Sequence, residues 1–288
     1  MGNPRQYELL DFGDGRRFER FGPFVLDRPC PAAEGIRRAA PWTQADARFD
    51  RGDGEQGQWT LRGEVESTWT IGHAPLVFEL KRTGFGHVGL FPEQAENWDW
   101  LAAQVPILAL RLGRPPRVLN LFAYTGGSTL AAAAAGAEVT HVDAARNVTN
   151  WARRNAELSG LGGAPIRWIA DDAMKFVRRE LRRSNRYDCI VLDPPSYGHG
   201  ARGEVWQLDR HLVELLAACA ELTAPAPHLV LLTCHTPGYT PQHLRDLLAT
   251  AFTSALSTDV DIASAELTIR SATGRALPCG AVARWTAE

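Results

Sequence analysis

From Arg117 onward, short apolar runs alternate with amphipathic stretches, and this alternation constrains the fold more than any other feature of the chain. Arg117-Val118-Leu119-Asn120-Leu121 breaks into Phe122-Ala123-Tyr124-Thr125-Gly126-Gly127, and an alanine tract, Ala131 to Ala135, follows. An apolar run closed by glycines reads as a buried strand, and the alanine tract as a helix. Further strands are expected at Glu138 to Asp143, Ile166 to Ala170, Tyr187 to Asp193 and His228 to Cys234. Helices are expected at Ala144 to Ser159, Ala173 to Arg183, Glu204 to Leu222 and Pro241 to Ala255, with β-like segments near Leu267–Ile269 and Ala281–Trp285. Such an order predicts an α/β fold, a Rossmann-like, mainly parallel sheet with helices on both faces.

The preceding residues follow a different rule. Residues 7–80 are punctuated by turns, among them an Asp14-Gly15 hairpin signal, a polar loop from Asp50 to Gly57, and strand-like runs at Trp59–Gly63, Trp69–Gly72 and Leu76–Leu80. The expected organisation is a β-rich N-terminal domain over 1–85, a loop and connecting helix over 86–116 interrupted at Pro106, and the alternating domain over 117–288. Five cysteines without a Cys-x-x-Cys pair argue against a disulfide framework and a structural zinc, so no metal is expected. The absence of a long apolar run and of an apolar core near Met1 predicts a cytoplasmic protein away from membranes. A net charge of −2 neither announces nor excludes nucleic acid as a partner, and the oligomeric state stays open, a homodimer included.

In open parallel sheets ligands lie at the carboxyl ends of the strands, where strand order reverses. The polar residues at those ends are Asn120 with Thr125-Gly126-Gly127, Asp143, Asp171-Asp172, Asp193-Pro194-Pro195-Ser196, and Thr233-Cys234-His235. An acid about twenty residues after the glycine turn is placed for ribose hydroxyls, although each acid taken alone could equally cap the next helix. The turn lacks the third glycine of a dinucleotide site and the Lys-Ser/Thr of a phosphate loop. With the rings of Phe122 and Tyr124, it suits an adenosyl ligand without a pyrophosphate.

Asn120 to Gly127, Val142-Asp143, Asn155 to Gly160, Asp171-Asp172-Ala173 and Leu192 to Ser196 together resemble the class I S-adenosylmethionine-dependent methyltransferases. More narrowly they resemble the bacterial 23S ribosomal RNA 5-methylcytosine branch, without its PUA domain. The resemblance implies that Phe122, Ala123, Tyr124, Thr125, Gly126 and Gly127 hold the methionine part of S-adenosyl-L-methionine. It implies Asp143 for the ribose, Asp171 and Asp172 on the adenine side, and Asp193 near the methyl group. Lys81, within Lys81-Arg82-Thr83-Gly84, falls where relatives carry a substrate-side Lys-x-Thr-Gly.

Methylation of a pyrimidine at carbon 5 needs a thiolate to add at carbon 6, and the resemblance places that thiolate at Cys234, with His235 beside it to lower its pKa. The competing reading makes Cys234 a core residue ending a buried strand. In the loop after the fourth strand of the alternating domain, Pro194, Pro195 and Tyr197 are the substrate-side candidates. Ser196 stands where amino-methyltransferases carry an aromatic ring, and the ring comes one residue later, at Tyr197. The group Arg178, Arg179, Arg182, Arg183 and Arg186 reads as a solvated helix face. The expected function is therefore methylation of RNA, at carbon 5 of a ribosomal cytosine through Cys234 with Asp193. The alternatives are a guanine nitrogen or a small molecule as acceptor with Cys234 structural, or a cofactor-dependent RNA-binding protein without catalysis.

Overall fold

A computed structural model describes residues 7–42, 44–52, 54, 56–200, 203–223, 228–252 and 262–287. It divides into two compact units, Met1–Ala95 with Thr268–Cys279, and Glu96–Leu267 with Gly280–Glu288. Parts of three sequence expectations (the start of the chain, Asp53 and Glu55 in the polar loop, and the last residues of the helix expected to Ala255) lie outside the described residues.

The first unit is β-rich, as its turn-punctuated sequence requires. Strands β1 (Tyr7–Gly13), β2 (Arg16–Phe21), β3 (Phe24–Pro29), β4 (Ala47–Arg51) and β5 (Gly57–Leu61) form one sheet in chain order. All its pairings are antiparallel except β3 with β4. Asp14 and Gly15 make the β1–β2 turn with φ of 52° and 70°, the left-handed pair that a two-residue hairpin favours. Strands β6 (Thr68–His73) and β7 (Leu76–Lys81) form a separate hairpin. Strands β1, β2 and β3 carry a buried charge cluster. Glu19 is fully buried, accepts hydrogen bonds from Arg28 Nε at 3.0 Å and Tyr7 Oη at 3.0 Å, and lies 3.1 Å from Arg17 Nε. Burial opposes its charge, but Arg17, Arg28 and these hydrogen bonds outweigh burial and hold its carboxyl below the ordinary range.

The second unit is built on the expected parallel sheet. Its strands are β8 (Arg117–Leu121), β9 (Glu138–Asp143), β10 (Ile166–Ala170), β11 (Cys189–Leu192) and β14 (Leu229–Cys234), with β15 (Ala263–Arg270) and β16 (Ala276–Thr286) at one edge. The spatial order is β10-β9-β8-β11-β14-β16-β15. Pairings from β10 to β14 are parallel and β16 runs antiparallel to β14. Helices α1 (Ala95–Leu112), α2 (Gly127–Ala134), α3 (Arg146–Leu158), α4 (Ala173–Arg182), α5 (Leu208–Leu222) and α6 (Pro241–Phe252) complete the unit. The apolar side chains of α4, α5 and α6 pack with Ile190, Leu192, Val230 and Leu232 into one core. Among the described residues no helix is long and apolar enough to cross a membrane.

Two expectations change in detail. Pro106 does not interrupt α1, which runs through it with the proline on the exposed side. The segment expected to begin a helix at Glu204 instead forms strand β13 (Val205–Gln207), paired with β12 (Tyr197–His199), and the helix starts at Leu208. Side-chain pairing of Trp206 and the Pro195 carbonyl, at 2.7 Å, outweighs the helical spacing there.

Replacing Glu19 by Gln leaves Arg17 and Arg28 buried without their counter-charge, and is expected to destabilise the protein by about 3 kcal/mol at neutral pH. Because the folded carboxyl titrates below its unfolded value, this stabilisation is complete above the unfolded pKa and is lost as pH falls through the folded one. Urea unfolding should therefore show the gap between wild type and Glu19→Gln narrowing in acid, and a pH-independent gap would contradict the assignment.

Candidate active site

Strand order places the sequence-predicted residues along one edge. From β10 to β14 the carboxyl ends carry Asp171-Asp172, then Asp143, then Phe122 to Gly127, then Asp193, then Thr233-Cys234-His235. Four gaps of one strand spacing make a row about 19 Å long. Strand order reverses between β8 and β11, so the turn after β8 and the loop after β11 flank the switch point.

The turn after β8 has an unusual backbone. Phe122, Tyr124 and Gly126 take φ of 55°, 49° and 93°, so three alternate residues are left-handed and two of them carry large side chains. Neighbouring elements impose this shape. Asp143, the last residue of β9, accepts the Tyr124 N–H at Oδ2 (2.9 Å) and the Ala145 N–H at Oδ1 (2.9 Å). Asn155 on α3, fully buried, donates to the Thr125 carbonyl at 2.9 Å. Ala123 N–H donates to Val142 at 3.1 Å. Beneath the turn, Asn120 donates to Thr129 Oγ1, which also meets Nδ1 of the buried His141, both at 2.9 Å. Burial pushes the Asp143 carboxyl above its ordinary range, against the two backbone N–H groups. Gly127 opens α2 against Trp98, whose ring lies 2.6 Å from where a Cβ would stand.

At the β10 end a pocket of about 220 Å³ is lined by Ala144, Arg146, Asp171, Asp172, Lys175 and Glu204 among others. Asp171 is held by Arg179 at 2.5 Å. Asp172 receives the Lys175 backbone N–H at 2.8 Å and is the N-cap of α4, the structural alternative that the sequence left open.

On the other side of the switch point, Asp193 Oδ1 receives the Thr233 hydroxyl at 2.6 Å and lies 3.1 Å from His235 Nε2. Pro194 is buried, while Pro195, Ser196 and Tyr197 are exposed. Trp206 braces this loop, donating to the Pro195 carbonyl and packing its ring 4.8 Å from that of Phe122. It thereby ties the loop to the glycine turn, a role that sequence spacing did not reveal. For Cys234 the sequence left a nucleophile and a core residue as competing readings. Cys234 is fully buried, shares its strand face with Val230 and Leu232 in the core, and its thiol is pushed up by burial despite hydrogen bonding from Thr236. Lys81 lies in the first unit, at the end of β7, with its ammonium 2.7 Å from Glu79. Among the described residues no group of three His, Cys, Asp or Glu could hold a metal ion.

A mainly parallel sheet with this order, a glycine turn at its switch point and acids at successive strand ends define a Rossmann-like fold with its ligand site at the strand ends. The sequence pattern of the S-adenosylmethionine-dependent methyltransferases matches residues 42–257, and the chain belongs to that family. It is an enzyme that uses S-adenosyl-L-methionine as methyl donor. A solved S-adenosylmethionine-dependent methyltransferase from Agrobacterium tumefaciens is 40% identical, with a TM-score of 0.91 over 100% of this chain and 92% of that one. A chain from Streptococcus mutans, described as a methyltransferase, shares the fold at 16% identity (TM-score 0.74, 98% of this chain and 75% of that one). The ribosomal RNA large subunit methyltransferase K/L of Shewanella frigidimarina is 31% identical over 155 residues, 53% of this chain and 20% of that protein. That of Shewanella loihica is 37% identical over 115 residues, 39% of this chain and 16% of that protein. The matched region thus spans about a fifth of the length of these curated relatives.

Gly127→Ala forces a methyl group into the Trp98 ring and should cost about 1–3 kcal/mol, read as a lower thermal midpoint with altered tryptophan fluorescence. An unchanged midpoint would show that the turn is not pinned by this contact.

Proposed function

We propose that the protein methylates RNA, and that its acceptor is a base of large-subunit ribosomal RNA. The observation that carries this reading is Tyr197, a residue 49% exposed that follows Asp193-Pro194-Pro195-Ser196 and is carried on a hairpin that Trp206 holds against the loop. A firmly mounted, exposed ring beside the methyl-transfer position is what stacking on an extruded base requires. The Shewanella relatives, named for large-subunit ribosomal RNA, match this chain at 31–37% identity and support the same substrate.

The residues fit the donor. Phe122 to Gly127 would enclose its methionine part. Asp143 would accept from the ribose hydroxyls with the second lone pair on each oxygen, since the backbone N–H groups use the first. The pocket at Asp171 and Asp172 would take the adenine. When bound, the donor supplies an electrophilic methyl group on a sulfonium. The protein's part is to hold it and the base in line, and to keep water away.

One observation favours a nitrogen acceptor over carbon 5. The carbon 5 route needs the Cys234 thiolate to touch the base, and a fully buried thiol raised above its ordinary range does not support that contact. A nitrogen acceptor needs no covalent helper, and Cys234 is then a core residue.

Tritiated methyl groups should enter total RNA rather than protein or metabolite pools; label confined to those pools would overturn the RNA reading. Asp143→Ala should weaken S-adenosylhomocysteine binding about 100-fold by calorimetry, and unchanged affinity would remove Asp143 from the donor site. Cys234→Ala should keep methyl transfer within about threefold of wild type, and wild type should form no covalent adduct with fluorocytosine-substituted RNA. A collapse of transfer in folded Cys234→Ala, or an adduct, would restore the thiol route.

A further inference from the structure

Strands β12 and β13 pair only with each other and have three residues each, too few to hold a hairpin in place by themselves. Trp206 anchors one face of the pair, and at its base the Leu208 N–H donates to the Ser196 carbonyl at 3.0 Å. A third anchor lies at the other end. The Gly200 N–H donates to the Glu204 carbonyl at 2.8 Å, and the Glu204 carboxylate comes within 2.5 Å of where a Cβ on Gly200 would stand. Glu204, Val205 and Trp206 are in turn half-buried, exposed and buried, so Glu204 turns to the same side as Trp206. There it lines the pocket of about 220 Å³ together with Ala144, Asp171, Asp172 and Lys175.

Lys175 ties the walls of that pocket together. Its backbone N–H donates to Asp172 at 2.8 Å, and its ammonium lies 3.8 Å from Asp171 and 3.6 Å from Glu204. The hairpin that presents Tyr197 outward therefore supplies, through Glu204, part of the wall of a pocket otherwise built at the ends of β9 and β10 and the start of α4.

We propose that Glu204 is a positioning residue that couples the donor pocket to the acceptor hairpin, so that an occupied pocket holds Tyr197 in place for the base. The inference rests on the reading above that this pocket takes the adenine of the donor. A ligand shifts a conformational balance only by its difference in affinity for the two states. Contacts with Ala144, Asp171 and Asp172 are available whether or not the hairpin is seated. Contacts with Glu204, and the shielding of the Lys175–Glu204 pair from water, exist only when it is seated. The donor therefore favours the seated hairpin, and by reciprocity the seated hairpin binds the donor more tightly by the same factor. The side chains of Lys175 and Glu204 are 41% and 28% exposed, and a pair so open to solvent supports a factor of at most about fivefold. Donor-loaded protein thus meets the base with its stacking ring already seated.

The test uses the full chain and S-adenosylhomocysteine, without RNA. Saturation with this ligand should slow hydrogen exchange at the Gly200 and Leu208 amides about threefold to fivefold in wild type, and less than about twofold in Glu204→Gln. Calorimetric affinity should fall in Glu204→Gln by the factor of protection lost. Lys175→Met should behave alike, and the double variant should lose nothing further. Arg178→Gln, which breaks an ion pair with Glu214 outside the pocket, should keep the full response. A full exchange response in Glu204→Gln would overturn the proposal. So would exchange that quickens equally with and without ligand, because that marks a structural tie alone. Asp172→Asn tests the adenine reading separately, since asparagine keeps the helix cap while removing the charge, and it should weaken binding about tenfold. Unchanged affinity would take the adenine out of this pocket and the proposal with it; weakened affinity beside an unresponsive wild-type hairpin would overturn the coupling alone.

Discussion

One carboxylate between two backbone N–H groups holds the turn on which the site depends. Phe122 and Tyr124 adopt left-handed conformations that cost on the order of 1 kcal/mol each for residues with a Cβ. Asp143 offsets that cost by accepting the Tyr124 N–H, and joins the same turn to the start of α3 through the Ala145 N–H. Asn155 closes the arrangement from the opposite side by its bond to the Thr125 carbonyl. The turn is therefore set by β9 and α3 before any ligand arrives. Pre-forming the backbone in this way lowers the ordering cost of binding. The elevated position of the Asp143 carboxyl is the counterpart, because the two N–H groups do not fully replace the water that burial removes.

A second tie crosses the switch point. β8 and β11 are neighbours whose connections leave in opposite directions, so nothing in the sheet itself fixes the turn after one against the loop after the other. Trp206 supplies the link, with its ring against Phe122 and its N–H on the Pro195 carbonyl. The short β12–β13 pairing places Trp206 there and leaves Tyr197 exposed on the same hairpin. The turn after β8 and the loop after β11 thus share one indole.

The legible parts of the sequence were those governed by local rules. Buried strands appear as apolar runs, and because ligands gather at strand ends, the acids that end those runs could be named as site candidates without coordinates. Asp14-Gly15 was readable for the same reason, since few residue pairs take a left-handed two-residue turn. What stayed hidden depends on distant partners. Three-residue strands such as β12 and β13 are too short to show a period, and the apolar spacing of α5 continues backward through Val205 and Trp206. Asn155 looked like part of a motif, but its bond to Thr125 spans thirty residues. Asp172 was open to two readings, and its cap on α4 is the one the hydrogen bond displays.

Cys234 and His235 show how one residue of register decides chemistry. Side chains along a strand alternate, so β14 can present either 234 or 233 with 235 to the loop after β11, but not both sets. The even-numbered residues Val230, Leu232 and Cys234 pack under α5 and α6, where any polar or ionised group would be costly. That packing leaves Thr233 and His235 to face the loop after β11, where a hydroxyl and an imidazole converge on one carboxylate oxygen. An exposed thiolate at 234 would require the strand end to slip by one residue, turning Thr233 and His235 into the core and taking both partners from Asp193. The core packing of β14 and the convergence of Thr233 and His235 on Asp193 at its end are consequences of the same register.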